Sequence, residues 1–389
     1  MRLIFLSLIL FPKSFFAQSN NTIIAGEKHT IYSKIIGEDK EYWVHLPVNY
    51  DKSDNHYPVL YITDGDEHFS LASGATEFMS SQYMIPEMIV VSIFHKDRNH
   101  DLTPTHITVN NEGFRSDALK VSGGGEKLLQ FIEKELIVEI ERNYRTGPYR
   151  ILAGHSLGGL FSMYAYLNRN ALFNAFISMD PALTWDNHLC ERMLKTASYQ
   201  SASLSSKLYI SSAHNAPYGE PDTSPFRRSQ DAFDQALKSK QIENVRHDYF
   251  EDRNHLAVPY NSLYAALTYI FSGYYILDDP QFVLEISFIQ KFYEEQSELY
   301  DISFTPAEGL IEMLGKYFLF DINEYGKAIE FFTFNTMNYP TSYRAFEYLA
   351  KAHRSAGHKE EAIANFRKAL ALSPGNKDIQ KMLTELEKQ

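Results

Sequence analysis

The chain holds a single cysteine, Cys190, among 389 residues. An intramolecular disulfide is therefore excluded. Positive charge is also scarce: 37 Lys and Arg stand against 49 Asp and Glu, for a formal net charge of −12. A phosphate backbone needs a basic patch, so this balance argues against a nucleic-acid binder and against strong attraction to anionic lipid. Long hydrophobic runs are missing as well, and no segment beyond the N-terminus is apolar over enough residues to cross a membrane. What the chain has is a 44% hydrophobic content, 27 Phe and 26 Tyr, which suits an ordinary globular core. Its length fits a large domain and a second, smaller one.

At the N-terminus Met1-Arg2 precedes an apolar run from Leu3 to Phe11, and Ala17 offers a small residue before Gln18. This pattern predicts a secretory signal over residues 1–17, too short to span a bilayer. No cysteine follows it, so a lipid anchor is not expected. Export without disulfides fits a bacterial periplasmic or secreted protein.

Residues 30–36 and 41–46 alternate like strands around a Gly37-Glu-Asp-Lys40 turn. Residues 57–63 and 88–94 are near-continuous apolar runs, as a sheet covered on both faces requires. Residues 123–143 carry an apolar helical face through Leu128, Leu129, Ile132, Leu136 and Ile140. Further strands are read at 173–179, 207–212 and 245–250, with helices at 226–240 and 259–275. Early antiparallel strands followed by alternating β and α units predict an α/β-hydrolase fold over residues 25–277.

The stretch around which this block is organised is Arg150-Ile-Leu-Ala-Gly154-His155-Ser156-Leu157-Gly158-Gly159-Leu160-Phe161. An apolar strand, a sharp turn and a helix start give the G-x-S-x-G nucleophile elbow, with Ser156 as nucleophile. Residues two before and two after the serine crowd each other and the neighbouring strand, which is why glycines fit there.

In this fold the nucleophile is followed by an acid and then a histidine. His255 is placed for the base, in a polar loop between a strand and a helix; His247, within the strand, and His214 are weaker candidates. The loop 213–225 predicts the acid, with Asp222 first and Glu220 as the alternative. Two backbone N–H groups must form an oxyanion hole: that of Leu157, after the nucleophile, and that of Asp66 or its neighbour Gly65, in the turn after the 57–63 strand. The cluster His95-Lys-Asp97-Arg98-Asn-His100-Asp101-Leu-Thr-Pro104-Thr-His106 lacks metal-ligand spacing and reads as a loop bordering the pocket. No metal or organic cofactor is expected.

Asp64-Gly65-Asp66, Arg98-Asn-His-Asp-Leu-Thr-Pro104, Gly154-His-Ser-Leu-Gly-Gly-Leu160 and Asn254-His255 together resemble the Putative esterase family of α/β hydrolases. That family groups enterochelin-type siderophore esterases, feruloyl esterases, S-formylglutathione hydrolases and mycolyltransferases. The resemblance covers roughly residues 25–275 and implies a serine ester hydrolase acting through an acyl-enzyme, with Ser156 and His255 in its triad. Relatives usually carry serine before Pro181; Asp180 stands there instead, which makes it an outlying candidate for the acid.

Beyond residue 278 every pattern is helical. Ala328-Ile329 recurs 34 residues later as Ala362-Ile363, Phe332 as Phe366 and Pro340 as Pro374. This period predicts tetratricopeptide-like helical repeats over residues 280–389. Two copies are fewer than a free-standing array needs. The segment is expected to pack on the hydrolase domain through the 281–300 helix, with a protein-binding surface as the alternative. A small-molecule ester is the expected substrate. Acyl transfer and a non-catalytic binding module are the other readings.

Overall fold

The computed structural model describes residues 25–388 apart from residues 112, 197–203, 218 and 279–282. The segment read as an export signal lies outside these residues. Eight strands form one sheet: β1 (Glu27–Ser33), β2 (Glu38–His45), β3 (Tyr57–Ile62), β4 (Ile89–Ile93), β5 (Thr146–His155), β6 (Ala175–Met179), β7 (Lys207–Ala213) and β8 (Val245–Phe250). Their spatial order is β1-β2-β4-β3-β5-β6-β7-β8. The first two pairings, β1 with β2 and β2 with β4, are antiparallel. From β4 onward every pairing is parallel. This is the α/β-hydrolase sheet.

The pleat sorts each strand's side chains onto two cores. In β3, Val59 and Tyr61 enter one cluster with Leu129, Phe131, Phe161, Met163 and Phe233. Leu60 and Ile62 enter the other with Leu263, Leu267 and Ile270. A period of two thus makes a fully apolar strand serve two helical layers. The first layer comes from the Gly125–Phe131, Ile132–Leu136, Ile137–Asn143, Leu157–Asn168 and Pro225–Ser239 segments. The second comes from helices Gly65–Ser81 and Val258–Ile270.

The second core does not stop at the hydrolase block. It continues through Ile289, Phe292, Tyr293 and Tyr300 of helix Ile286–Tyr300 into Leu310, Phe318, Phe331 and Phe332. Tyr300 meets Tyr149 of β5 edge to face at 5.0 Å, and its hydroxyl donates to the Ile270 carbonyl at 3.3 Å. The helical segment is bonded to the sheet layer through a common apolar interior.

The 34-residue period is a structural one. Helices Tyr325–Asn338 and Lys359–Leu372 both have 14 residues. The residues before them, Glu324 and His358, share a backbone conformation (φ −86°, ψ 77° and φ −86°, ψ 78°). Each is followed by a partner helix, Tyr343–Ser355 and Lys377–Lys388. The first copy carries Phe334 where the second has Lys368 because Phe334 packs on the core shared with the sheet, whereas Lys368 is exposed. The last copy closes on its own small cluster of Ala350, Ala362, Phe366, Ile379 and Leu383.

Candidate active site

β5 ends at His155, and helix Leu157–Asn168 begins directly after Ser156. Ser156 sits at φ 59°, ψ −112°, a strained conformation for a residue with a side chain. Two close approaches impose it. A Cβ on Gly154 would lie 2.3 Å from the backbone of Gly158, and one on Gly158 would lie 2.3 Å from Thr63 Oγ1 at the end of β3. The glycines therefore let the turn press against both itself and the neighbouring strand. The turn is then pinned from the other side, because Ser156 N–H donates to the Met179 carbonyl at 3.0 Å.

His255 lies between β8 and helix Val258–Ile270. The preceding Asn254 side chain accepts from the N–H groups of Leu256 (3.1 Å) and Ala257 (3.0 Å), which fixes the loop. The two other candidate histidines are occupied elsewhere. His214 contacts the Tyr249 hydroxyl at 2.6 Å, and His247 contacts the Ser212 hydroxyl at 2.7 Å.

The carboxylate set against His255 is Asp180, at 2.6 Å from Nδ1. Asp180 follows β6, at φ 40°, and is wholly buried. Its Oδ1 also accepts from the Ala213 N–H (2.9 Å) and the Gln230 amide (2.9 Å), and its Oδ2 from the Asn215 amide (3.2 Å). Burial pushes this carboxyl up, but the hydrogen bonds from His255, Ala213, Gln230 and Asn215 outweigh it and hold the group below its usual range.

This corrects the expectation for loop 213–225. Asp222 accepts from the N–H groups of Asn215 (2.9 Å) and Ser224 (3.0 Å), turning the loop on itself. Glu220 is exposed in the turn that follows Pro217. The partner of His255 keeps the chain order of nucleophile, acid and histidine but follows β6, one strand before the loop read for it. The readable signal was a lone carboxylate, followed by proline, at the end of the wholly buried β6. Gln230 carried no such signal, since it sits on a helix face among other polar residues.

Two helix starts meet beside Ser156. β3 and β5 are parallel neighbours, with Ile62 opposite Ala153, so the helices that follow them begin side by side. One opens with Leu157 and the other with Gly65 and Asp66. Their first N–H groups have no partner within the helix. Asp64, left-handed at φ 54°, makes the turn into the second helix. Its buried carboxylate is gripped by Arg98 through two hydrogen bonds, at 2.9 and 3.0 Å.

Behind Ser156, His155 packs on the His255 ring with centroids 4.4 Å apart, and His68 meets His155 at 5.7 Å. Burial, with His255 and His68 beside it, pushes the His155 imidazole down to about 3. His68 is lowered as well, again chiefly by burial.

Within the His95–His106 stretch, Asp101 forms a bolt onto β2 together with His95 and His100. Asp101 accepts from Lys40 of β2 at 2.6 Å and contacts His95 (3.1 Å) and His100 (3.0 Å). Burial raises the Asp101 carboxyl, yet His95, Lys40 and His100 together hold it far below the usual range. Among the described residues no group of three or more His, Cys, Asp or Glu side chains is placed to hold a metal ion.

A cavity of about 730 Å³ opens elsewhere, between the sheet block and the helical segment, lined by Tyr57, Tyr83, Tyr274, Tyr293, Phe304 and Tyr339 among others. Tyr57 starts β3, so this cavity lies at the opposite end of the strands from Ser156.

The family model described as Putative esterase matches residues 33–249, and the chain belongs to that family. A ferri-bacillibactin esterase of Bacillus subtilis is 31% identical over 142 residues, which are 33% of this chain and 49% of the relative. A siderophore enterobactin esterase of Emericella nidulans is 27% identical over 151 residues, 35% of this chain and 50% of the relative. The chain thus matches about half the length of these curated relatives. Among solved structures, an IroE-like serine hydrolase from Shewanella oneidensis is similar at TM-score 0.66 and 26% identity, covering 80% of this chain and 99% of its own.

Proposed function

We propose that the protein is a serine carboxylic-ester hydrolase with Ser156 as nucleophile, His255 as base and Asp180 as the acid. The observation that carries this reading is the 2.6 Å contact between His255 Nδ1 and the buried Asp180, beside the elbow. Nδ1–H donating to Asp180 fixes the tautomer that leaves Nε2 without its proton. That nitrogen takes the Ser156 proton as Oγ attacks the ester carbonyl. The oxyanion is received by the N–H groups of Leu157 and Asp66, at two helix starts where partial positive charge is already in place. The alcohol leaves with the proton from His255. Water, deprotonated by the same histidine, then releases the acid from Ser156.

The siderophore esterases among its relatives support a siderophore ester as substrate. The apolar start of the chain supports export, and N-terminal sequencing of the mature protein tests this. The tetratricopeptide-like helices serve the fold, a reading supported by the core they share with the sheet.

The test is turnover of aryl esters and of catecholate siderophores by wild type, Ser156→Ala and Asp180→Asn, with a fluorophosphonate probe mapped by mass spectrometry. Labelling of Ser156 and loss of turnover in both variants are expected. Labelling at another residue, or full turnover by Ser156→Ala, overturns the reading.

A further inference from the structure

The loop after β7 does not reach His255 through a carboxylate of its own, yet it grips the one that does. Asp180 Oδ2, the oxygen facing His255, also receives the Asn215 side-chain amide at 3.2 Å. Asn215 is itself held, because its backbone N–H donates to Asp222 Oδ2 at 2.9 Å while Asp222 Oδ1 takes the Ser224 N–H at 3.0 Å. On the other oxygen, the wholly buried Gln230 donates to Asp180 at 2.9 Å and to the Pro181 carbonyl at 3.1 Å. A carboxylate cut off from water stays ionised only if donors replace its solvent shell. It also keeps its direction only if both oxygens are held, since rotation about Cβ–Cγ would turn Oδ2 away from the imidazole. Each oxygen here has two partners.

We propose that Asn215 and Gln230 are positioning residues for the triad acid, and that Asp222 acts one step further out by fixing Asn215. The inference rests on the serine-esterase reading above. It gives Asp222 a role in the site different from that of an acid: it never touches His255, and its influence passes through an amide. A neutral amide at position 222 can still accept the Asn215 N–H, so the negative charge matters less there than the acceptor.

The experiment is steady-state kinetics across pH on the full chain for Asn215→Ala, Asp222→Ala, Asp222→Asn and Asp180→Asn, with thermal melts of each. Asn215→Ala is expected to lower kcat roughly tenfold with KM changed far less, since a misplaced acid weakens only the step in which imidazolium forms. The acid limb of kcat/KM should move to lower pH, because the imidazolium of His255 loses part of its counter-charge. The other titratable groups around His255 are His155 on its ring and His68 behind that, which in turn faces Asp64 and Arg98. Both histidines are lowered by burial and do not supply the limb.

Asp222→Ala should follow Asn215→Ala, Asp222→Asn should recover most of the loss, and Asp180→Asn should lose roughly 10³-fold or more. A fall in melting temperature with kcat and the acid limb unmoved in Asn215→Ala overturns the positioning role. So does an Asp222→Asn loss as deep as that of Asp180→Asn. Failure of the esterase reading is separate: it shows as turnover that survives Ser156→Ala and Asp180→Asn.

Discussion

Arg98 and Asp64 form a two-pronged pair, Nε to Oδ1 at 2.9 Å and Nη2 to Oδ2 at 3.0 Å, at the mouth of the helix that follows β3. Asp64 Oδ2 would lie 3.1 Å from a Cβ on Gly158, so the pair stands between the two helix starts proposed to receive the oxyanion. A bare carboxylate in that position would oppose a developing negative charge, and the guanidinium removes the conflict.

Arg98→Met is therefore expected to lower kcat/KM, and to destabilise the fold by about 1–3 kcal/mol because Asp64 is left buried without its partner. Arg98→Lys keeps the charge but cannot match the carboxylate with a planar fork, so it should fall between Met and wild type. Ester kinetics with urea unfolding decide it; equal behaviour of all three proteins would show that the pair contributes nothing to either property.

Gly158→Ala tests the elbow without touching a reactive group. The added methyl would lie 2.3 Å from Thr63 Oγ1, so the elbow or the end of β3 must shift. A displacement of about 1 Å at the nucleophile costs on the order of 10²-fold in kcat. Circular dichroism should show a folded protein whose fluorophosphonate labelling is slowed in proportion.

Asp101→Asn should destabilise the protein by about 1–3 kcal/mol, since Lys40 would keep only Glu38, at 3.6 Å, as a charged partner. The wild-type contribution has a definite pH sense. The Asp101 carboxyl is depressed in the folded state relative to about 3.9 in the unfolded chain. Its stabilisation is thus complete above about pH 4 and is lost as pH falls towards the folded value. Chemical denaturation from pH 7 down to pH 3 should show wild type losing its advantage over the variant at the acid end only.

Tyr300→Ala removes a ring buried against Tyr149 and Phe271. A loss of about 3–5 kcal/mol is expected, as for other large aromatic truncations. Tyr149 stands seven residues before Ser156 in an extended strand, roughly 20 Å away. The kcat of the remaining folded protein should accordingly stay near wild type. If melting is unchanged, the helical segment is not part of the cooperative unit.

Much of this architecture was legible in the chain because buried parallel strands must be apolar throughout. Residues 57–63 and 88–94 are apolar almost throughout, and they correspond to β3 and β4. The elbow was legible for a steric reason, since Gly154 and Gly158 mark backbone packed on backbone. Helix Gly65–Ser81 was not legible, because its buried face mixes His68, Ser73 and Thr76 with Phe69, Ala72 and Met79 and gives little periodic contrast. Asp180, the carboxylate beside His255, was legible only as an outlying candidate, for a different cause. A sequence displays which loops hold carboxylates; the partner of His255 depends on which strand end faces it. Asp222 satisfies its loop with two local hydrogen bonds, and nothing in its neighbours distinguishes that from a triad role.

The apolar interior that joins Tyr149 to Tyr300 also sets an order of events during synthesis. When β5 leaves the ribosome, Phe271 and Tyr300, which will cover its Tyr149 face, are still about 120 and 150 codons away. Until then that face is a sticky surface with no owner. A chain built this way covers that face only once helix Ile286–Tyr300 has been made.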